Sequence, residues 1–150
     1  MRTFIGKHRF SGFIISLMSL IPLINSCEVA NDLIGNATVA KLEGNWSCDE
    51  NSEQFKKSTT SVYSVHIAPD ADNVNGVIID GFYNLGDIGV KASVSVLTLT
   101  ISQQTVEGGS TILNGSGVIS ANYKKITWSY NVNIGGDAVD HVTAVYTKVD

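Results

Sequence analysis

Arginine is missing from this 150-residue chain beyond Arg9, and with it the planar fork that grips carboxylates or phosphates through paired hydrogen bonds. Lysine is scarce too. Past residue 26 only Lys41, Lys56, Lys57, Lys91, Lys124, Lys125 and Lys148 stand against all fourteen carboxylates, a formal charge of −7. A surface of that sign repels phosphate backbones and argues against nucleic acid as a partner. Cysteine occurs only at positions 27 and 48, too few for a disulfide framework. With no histidine close in sequence and apolar or small neighbours, Cys48 reads as a buried, inert thiol.

Catalytic and metal signatures are also lacking. No serine sits in a Gly-x-Ser-x-Gly elbow, and Asn114-Gly115-Ser116-Gly117 falls within a strand pattern. His66 and His141 are the only histidines after residue 26, whereas a zinc site needs three or four converging ligands. Residues 70–76 (DADNVNG) begin like an oxygen-rich calcium loop. Their glycine is seventh rather than sixth, however, and the twelfth position is Gly81 instead of glutamate, so a hairpin turn is expected. Neither enzymatic activity, nor a cofactor, nor a metal is expected.

What is present begins at the N terminus. Arg2, Lys7 and Arg9 precede the one long apolar run, 10–24, and small Ser26 follows it, in the order of an export signal. The run is shorter than the roughly 20 residues needed to span a bilayer, and Pro22 interrupts it. Ile24-Asn25-Ser26-Cys27 resembles a lipobox, the cleavage and lipidation signal of bacterial lipoproteins. The resemblance implies that residues 1–26 are removed and that Cys27 is acylated, joining the protein to a membrane of the cell envelope. Two or more acyl chains anchor stably where one does not. Residues 27–40 then read as a tether reaching on the order of 20 Å, with Leu33 and Ile34 leaving open a short helix or an added strand.

From residue 41 the pattern becomes short alternating runs punctuated by Gly, Asn and Asp, and no convincing amphipathic helix appears. Eight runs are expected as strands: 42–49, 61–68, 74–83, 89–94, 97–103, 112–120, 125–134 and 140–149. Ser95-Val96, between the fourth and fifth, is either a tight turn or a bend in one strand. Short connections favour hairpins between sequential strands, hence an all-β, antiparallel, up-and-down barrel of eight strands over 41–150.

Gly44-Asn45-Trp46 at the start of the first strand resembles the Gly-x-Trp signature of lipocalins and other calycins. In that family the tryptophan plugs the closed end of an eight-stranded barrel, and a long lid loop, here 50–60, separates the first two strands. The chain is also similar to small uncharacterised bacterial outer-membrane lipoproteins with lipocalin-like domains, through YSVHI (63–67), GFYNLG (81–86), GSGVIS (115–120), ITWSY (126–130) and VTAVYTK (142–148). Lipocalins usually keep an arginine near the last strand over the tryptophan. Here Lys148 stands in that region.

Period-two alternation puts Ile126, Trp128, Tyr130 and Val132 inside, with Val142, Ala144 and Tyr146, Val90, Ala92 and Val94, and Leu97, Leu99 and Ile101. Gly115 and Gly117 also face inward, which implies a sharp bend or room for an aromatic ring. Trp46, Tyr63, Trp128, Tyr130 and Tyr146 form the expected lining. The leading expectation is a non-catalytic, membrane-anchored lipoprotein holding a small apolar or amphipathic ligand. The alternative is a solid-core module that binds an envelope protein or glycan.

Overall fold

The computed structural model describes residues 35–54, 61–106, 109–136 and 138–149. The signal segment, Cys27 and most of the expected lid loop lie outside these residues. Nine strands are present: β1 (Gly44–Ser52), β2 (Ser61–Pro69), β3 (Gly76–Asp80), β4 (Val90–Ser95), β5 (Thr98–Ile101), β6 (Gln104–Thr105), β7 (Thr111–Ile119), β8 (Lys125–Asn133) and β9 (Val139–Lys148). Their order, β5-β4-β3-β2-β1-β9-β8-β7-β6, is closed by a β5–β7 pairing, so eight strands complete an antiparallel barrel in which consecutive strands are neighbours, β1 pairs with β9, and β5 pairs with β7 past the short β6. Closure leaves the ring without a free edge.

β5 falls within the expected 97–103 run, and β6 lies just beyond it. Past Ile101 the chain leaves β4, and the Gln104 side chain takes over. Its Oε1 accepts from the Lys91 amide at 2.9 Å, and its Nε2 donates to the Lys91 carbonyl at 2.8 Å, reproducing a strand pairing with a side-chain amide. The turn between β4 and β5 is a true hairpin at Val96-Leu97, with Val96 at φ 51. Leu97 therefore belongs to the turn and is only half-buried, not fully inward as the alternation predicts. The other residues expected to face inward are buried except Tyr63, which is half-buried.

The tether boundary at residue 41 is corrected. Residues 35–42 form helix α1, whose buried positions 35, 38, 39 and 42 recur at helical spacing. Val39 and Leu42 join the barrel core, and the Thr38 hydroxyl donates to the Val96 carbonyl at 3.1 Å. α1 thus caps one end of the barrel and ties itself to the β4–β5 hairpin. The alternation within 35–42 was obscured by polar Asn36 and Thr38.

The inward glycines make room for rings. Gly117 pairs directly with Trp128, and a Cβ at 117 would lie 2.9 Å from two carbons of the indole; at Gly115 it would lie 3.2 Å from the Tyr130 Cβ. Neither glycine has positive φ, so the requirement is steric. Gly117→Ala should destabilise the domain by about 1–3 kcal/mol, the cost of overpacking a closed core, whereas outward-facing Ser116→Ala should stay within about 0.5 kcal/mol of the parent. Urea denaturation of the two variants checks this.

Candidate functional site

Of the five expected lining residues, four converge on one another. Tyr63 (β2) and Tyr130 (β8) both donate their hydroxyls to Glu50 Oε2. Trp128 and Tyr146 pack with ring centroids 5.9 Å apart. Trp46 lies apart, at the capped end, where its indole donates to the Leu42 carbonyl at 2.9 Å. Lys148 Nζ stands 5.5 Å from the Trp46 ring centroid and donates to the Lys41 carbonyl at 2.5 Å. A cation does cover the tryptophan, and it is a lysine.

Four residues of the interior were not expected there. β1 runs three residues beyond the predicted end and carries Glu50 inward in the register of Trp46 and Cys48. β9 begins one residue before the expected 140–149 run and carries Asp140 inward, one alternation before Val142. The third strand stops at Asp80 instead of Tyr83. Gly81 (φ 79) turns the chain left-handed, and a 3-10 turn over Phe82–Asn84 inserts Phe82 and Tyr83 into the barrel end opposite α1. The Phe82 ring centroid lies 4.5 Å from that of Tyr130 and 5.8 Å from that of Trp128, the latter pair edge-on.

Asp140 is fully buried and fully engaged. Its Oδ2 accepts from the Ser52 hydroxyl at 2.5 Å and the Tyr83 hydroxyl at 2.7 Å, while Oδ1 accepts from the Gln54 amide at 2.9 Å. Desolvation pushes this carboxyl up, but the donated hydrogen bonds together outweigh it and hold Asp140 below its ordinary range. Glu50 goes the other way. Burial raises its pKa more than the two tyrosine hydroxyls lower it, and the Asp140 charge raises it further.

Cys48 lies in the same interior, where burial pushes its thiol up to about 12, the inert state expected from its neighbours. The buried Trp128 Nε1 has no hydrogen-bond partner among the described residues, and the buried Tyr146 hydroxyl is met by the Cys48 thiol. The histidines lie on the outer face, with His66 Nδ1 2.9 Å from Asn45 Oδ1 and His141 Nδ1 2.6 Å from Asn131 Oδ1. Residues 70–76 form a hairpin turn closed by their own backbone bonds, and Lys91 Nζ stands 3.3 Å from Asp70 and 3.5 Å from Asp72.

No protein-family model matches the chain, and no curated protein does. The barrel and its contents are therefore read on their own geometry. They comprise a buried aromatic interior that also holds two carboxylates, Glu50 and Asp140, and the Trp128 indole N–H without a partner among the described residues.

The opposite shifts of the two acids predict opposite pH behaviour. Asp140 contributes stability above its unfolded value near 3.8, and that contribution is lost as pH falls through its lower folded value. Glu50 favours the folded state at acid pH, and its contribution is lost as pH rises above 4.5 through its raised folded value. Glu50→Gln should accordingly flatten the decline in urea midpoint above pH 4.5. Equal slopes for variant and parent would refute the assignment.

Proposed function

We propose that this protein is a non-catalytic binding lipoprotein of the bacterial envelope, anchored in the outer membrane through acyl chains on Cys27. Its lipocalin-like barrel would hold a small apolar or amphipathic ligand. The observation that carries the reading is the convergence of Tyr63, Trp128, Tyr130 and Tyr146, from three different strands, on one interior that also contains carboxylates. Apolar walls with a few placed polar groups are the usual make-up of a small-molecule site. The reading is of a binder rather than an enzyme: burial pushes the Cys48 thiol up, away from the reactive thiolate, and His66 and His141 lie on the outer face.

The second reading is a solid-core interaction module, favoured by the Phe82 ring that already occupies the space against Tyr130. On that reading the outer face does the binding. Asn131 there donates to Asn114 Oδ1 at 3.0 Å and also faces His141, a polar ladder across β7, β8 and β9 suited to a glycan.

Two measurements separate these. Cys27→Ala should move the folded domain from the membrane to the soluble fraction, and its retention on membranes would overturn the anchor. Native mass spectrometry of the membrane-extracted wild-type protein, followed by a lipid and small-molecule screen, should reveal a bound species that quenches tryptophan fluorescence. A ligand-free protein that nevertheless cross-links to one envelope component in cells would favour the solid module.

A further inference from the structure

Inside the barrel, the Phe82–Tyr83 turn looks like an occupant rather than a wall. Tyr83 (φ 52) and Asn84 (φ 53) are consecutive non-glycine residues in left-handed conformation, bracketed by Gly81 (φ 79) and Gly86 (φ 74). Strained residues persist where their surroundings hold them, at a cost of about 1–3 kcal/mol each. The holding contacts are the Phe82 ring against Tyr130 and Trp128, and the Tyr83 hydroxyl on Asp140. Both are interactions that a small molecule could reproduce.

The chemistry of the chamber narrows what that molecule is. Glu50 and Asp140 are both buried, and among the described residues every lysine lies at the surface or half-buried, so no protein cation neutralises them. Buried charge without a counter-ion is costly. Independently, the buried Trp128 indole N–H beside Phe82 has no hydrogen-bond partner among the described residues, and the Tyr146 hydroxyl, within electrostatic range of Glu50, is met by the Cys48 thiol, a weak partner. Unpaired buried donors are uncommon and call for a missing partner. Aromatic walls with a carboxylate are the recognition chemistry of an organic ammonium.

We propose that the Phe82–Tyr83 turn is a displaceable internal stopper over a site for a small aromatic ammonium compound, whose ring replaces Phe82 against Tyr130 and Trp128 and whose ammonium replaces the Tyr83 hydroxyl on Asp140. The inference rests on the binding reading above and specifies its ligand class. Because the site is competent only when the stopper is out, apparent affinity is the intrinsic affinity reduced by the open fraction.

Tyramine is the probe, with p-cresol as its neutral counterpart, titrated by the NMR signal of the Trp128 indole N–H and by calorimetry. Wild-type protein should bind tyramine at least tenfold more tightly than p-cresol, with the Trp128 signal shifting on binding. Tyr83→Phe keeps the ring and removes the latch, and should tighten tyramine binding about tenfold. Equal affinity for the two probes, an unmoved Trp128 signal, or no binding at millimolar concentration would each overturn the proposal. Should Tyr83→Phe fail to fold, the wild-type comparison still decides. A barrel that takes up a fatty acid but ignores tyramine defeats this proposal and leaves the binding reading standing; one that ignores both defeats the two together.

Discussion

Inside this barrel, carboxylates have only hydroxyls and amides to answer them. The chain carries no arginine beyond Arg9, and no described lysine is buried, so Asp140 and Glu50 must be satisfied by neutral donors. That constraint organises the end of the barrel opposite α1. Asp140 gathers Ser52 and the Gln54 amide from the end of β1 and Tyr83 from the β3–β4 connection, so one carboxylate fixes two separate segments to β9. Hydrogen bonds to a charged acceptor are worth about 1.5–3 kcal/mol each, enough to offset the left-handed backbone that Tyr83 and Asn84 adopt.

The capped end follows a different rule. There the contacts are apolar and cation–π: Val39 and Leu42 of α1, the Trp46 indole bonded to its own helix, and Lys148 over the ring. Lys41 repeats the motif over Tyr123, 4.3 Å from the ring centroid. Between the two ends, glycine and aromatic residues face each other across β7 and β8, Gly117 opposite Trp128 and Gly115 opposite Tyr130. Each large ring is admitted because its partner has no side chain. The aromatic content of the core and the curvature of the wall are thus one decision.

Much of this was legible in the chain. Strict alternation in 125–133 and 139–148 identified the inner faces, and those residues are buried as expected because a period-two pattern leaves a strand only one way to face a core. The same rule already contained Glu50 and Asp140. Glu50 continues the series Trp46, Cys48 but, just past the expected end of the first strand, reads as the start of the loop; Asp140 opens the expected eighth run in register with Val142, Ala144 and Tyr146, but an acidic residue at a strand end is not an obvious core member. The 3-10 turn was harder, because Val77 to Tyr83 is apolar enough to pass for strand; the one sign against it was Gly81, where the backbone turns left-handed. The helix was masked for a related reason: its inward side includes a glycine and a threonine, residues that carry little hydrophobic signal.

The two ends therefore differ in what it takes to open them. Freeing α1 exposes fully buried leucine and tryptophan side chains to water, at about 25 cal/mol per Å² of apolar surface. Freeing the Phe82–Tyr83 turn exposes two aromatic rings, gives up the Tyr83–Asp140 hydrogen bond and relaxes a strained backbone, so part of its cost is returned. Local opening concentrates where buried contacts are fewest. The end opposite α1, closed by the Phe82–Tyr83 turn, is therefore the more easily opened of the two.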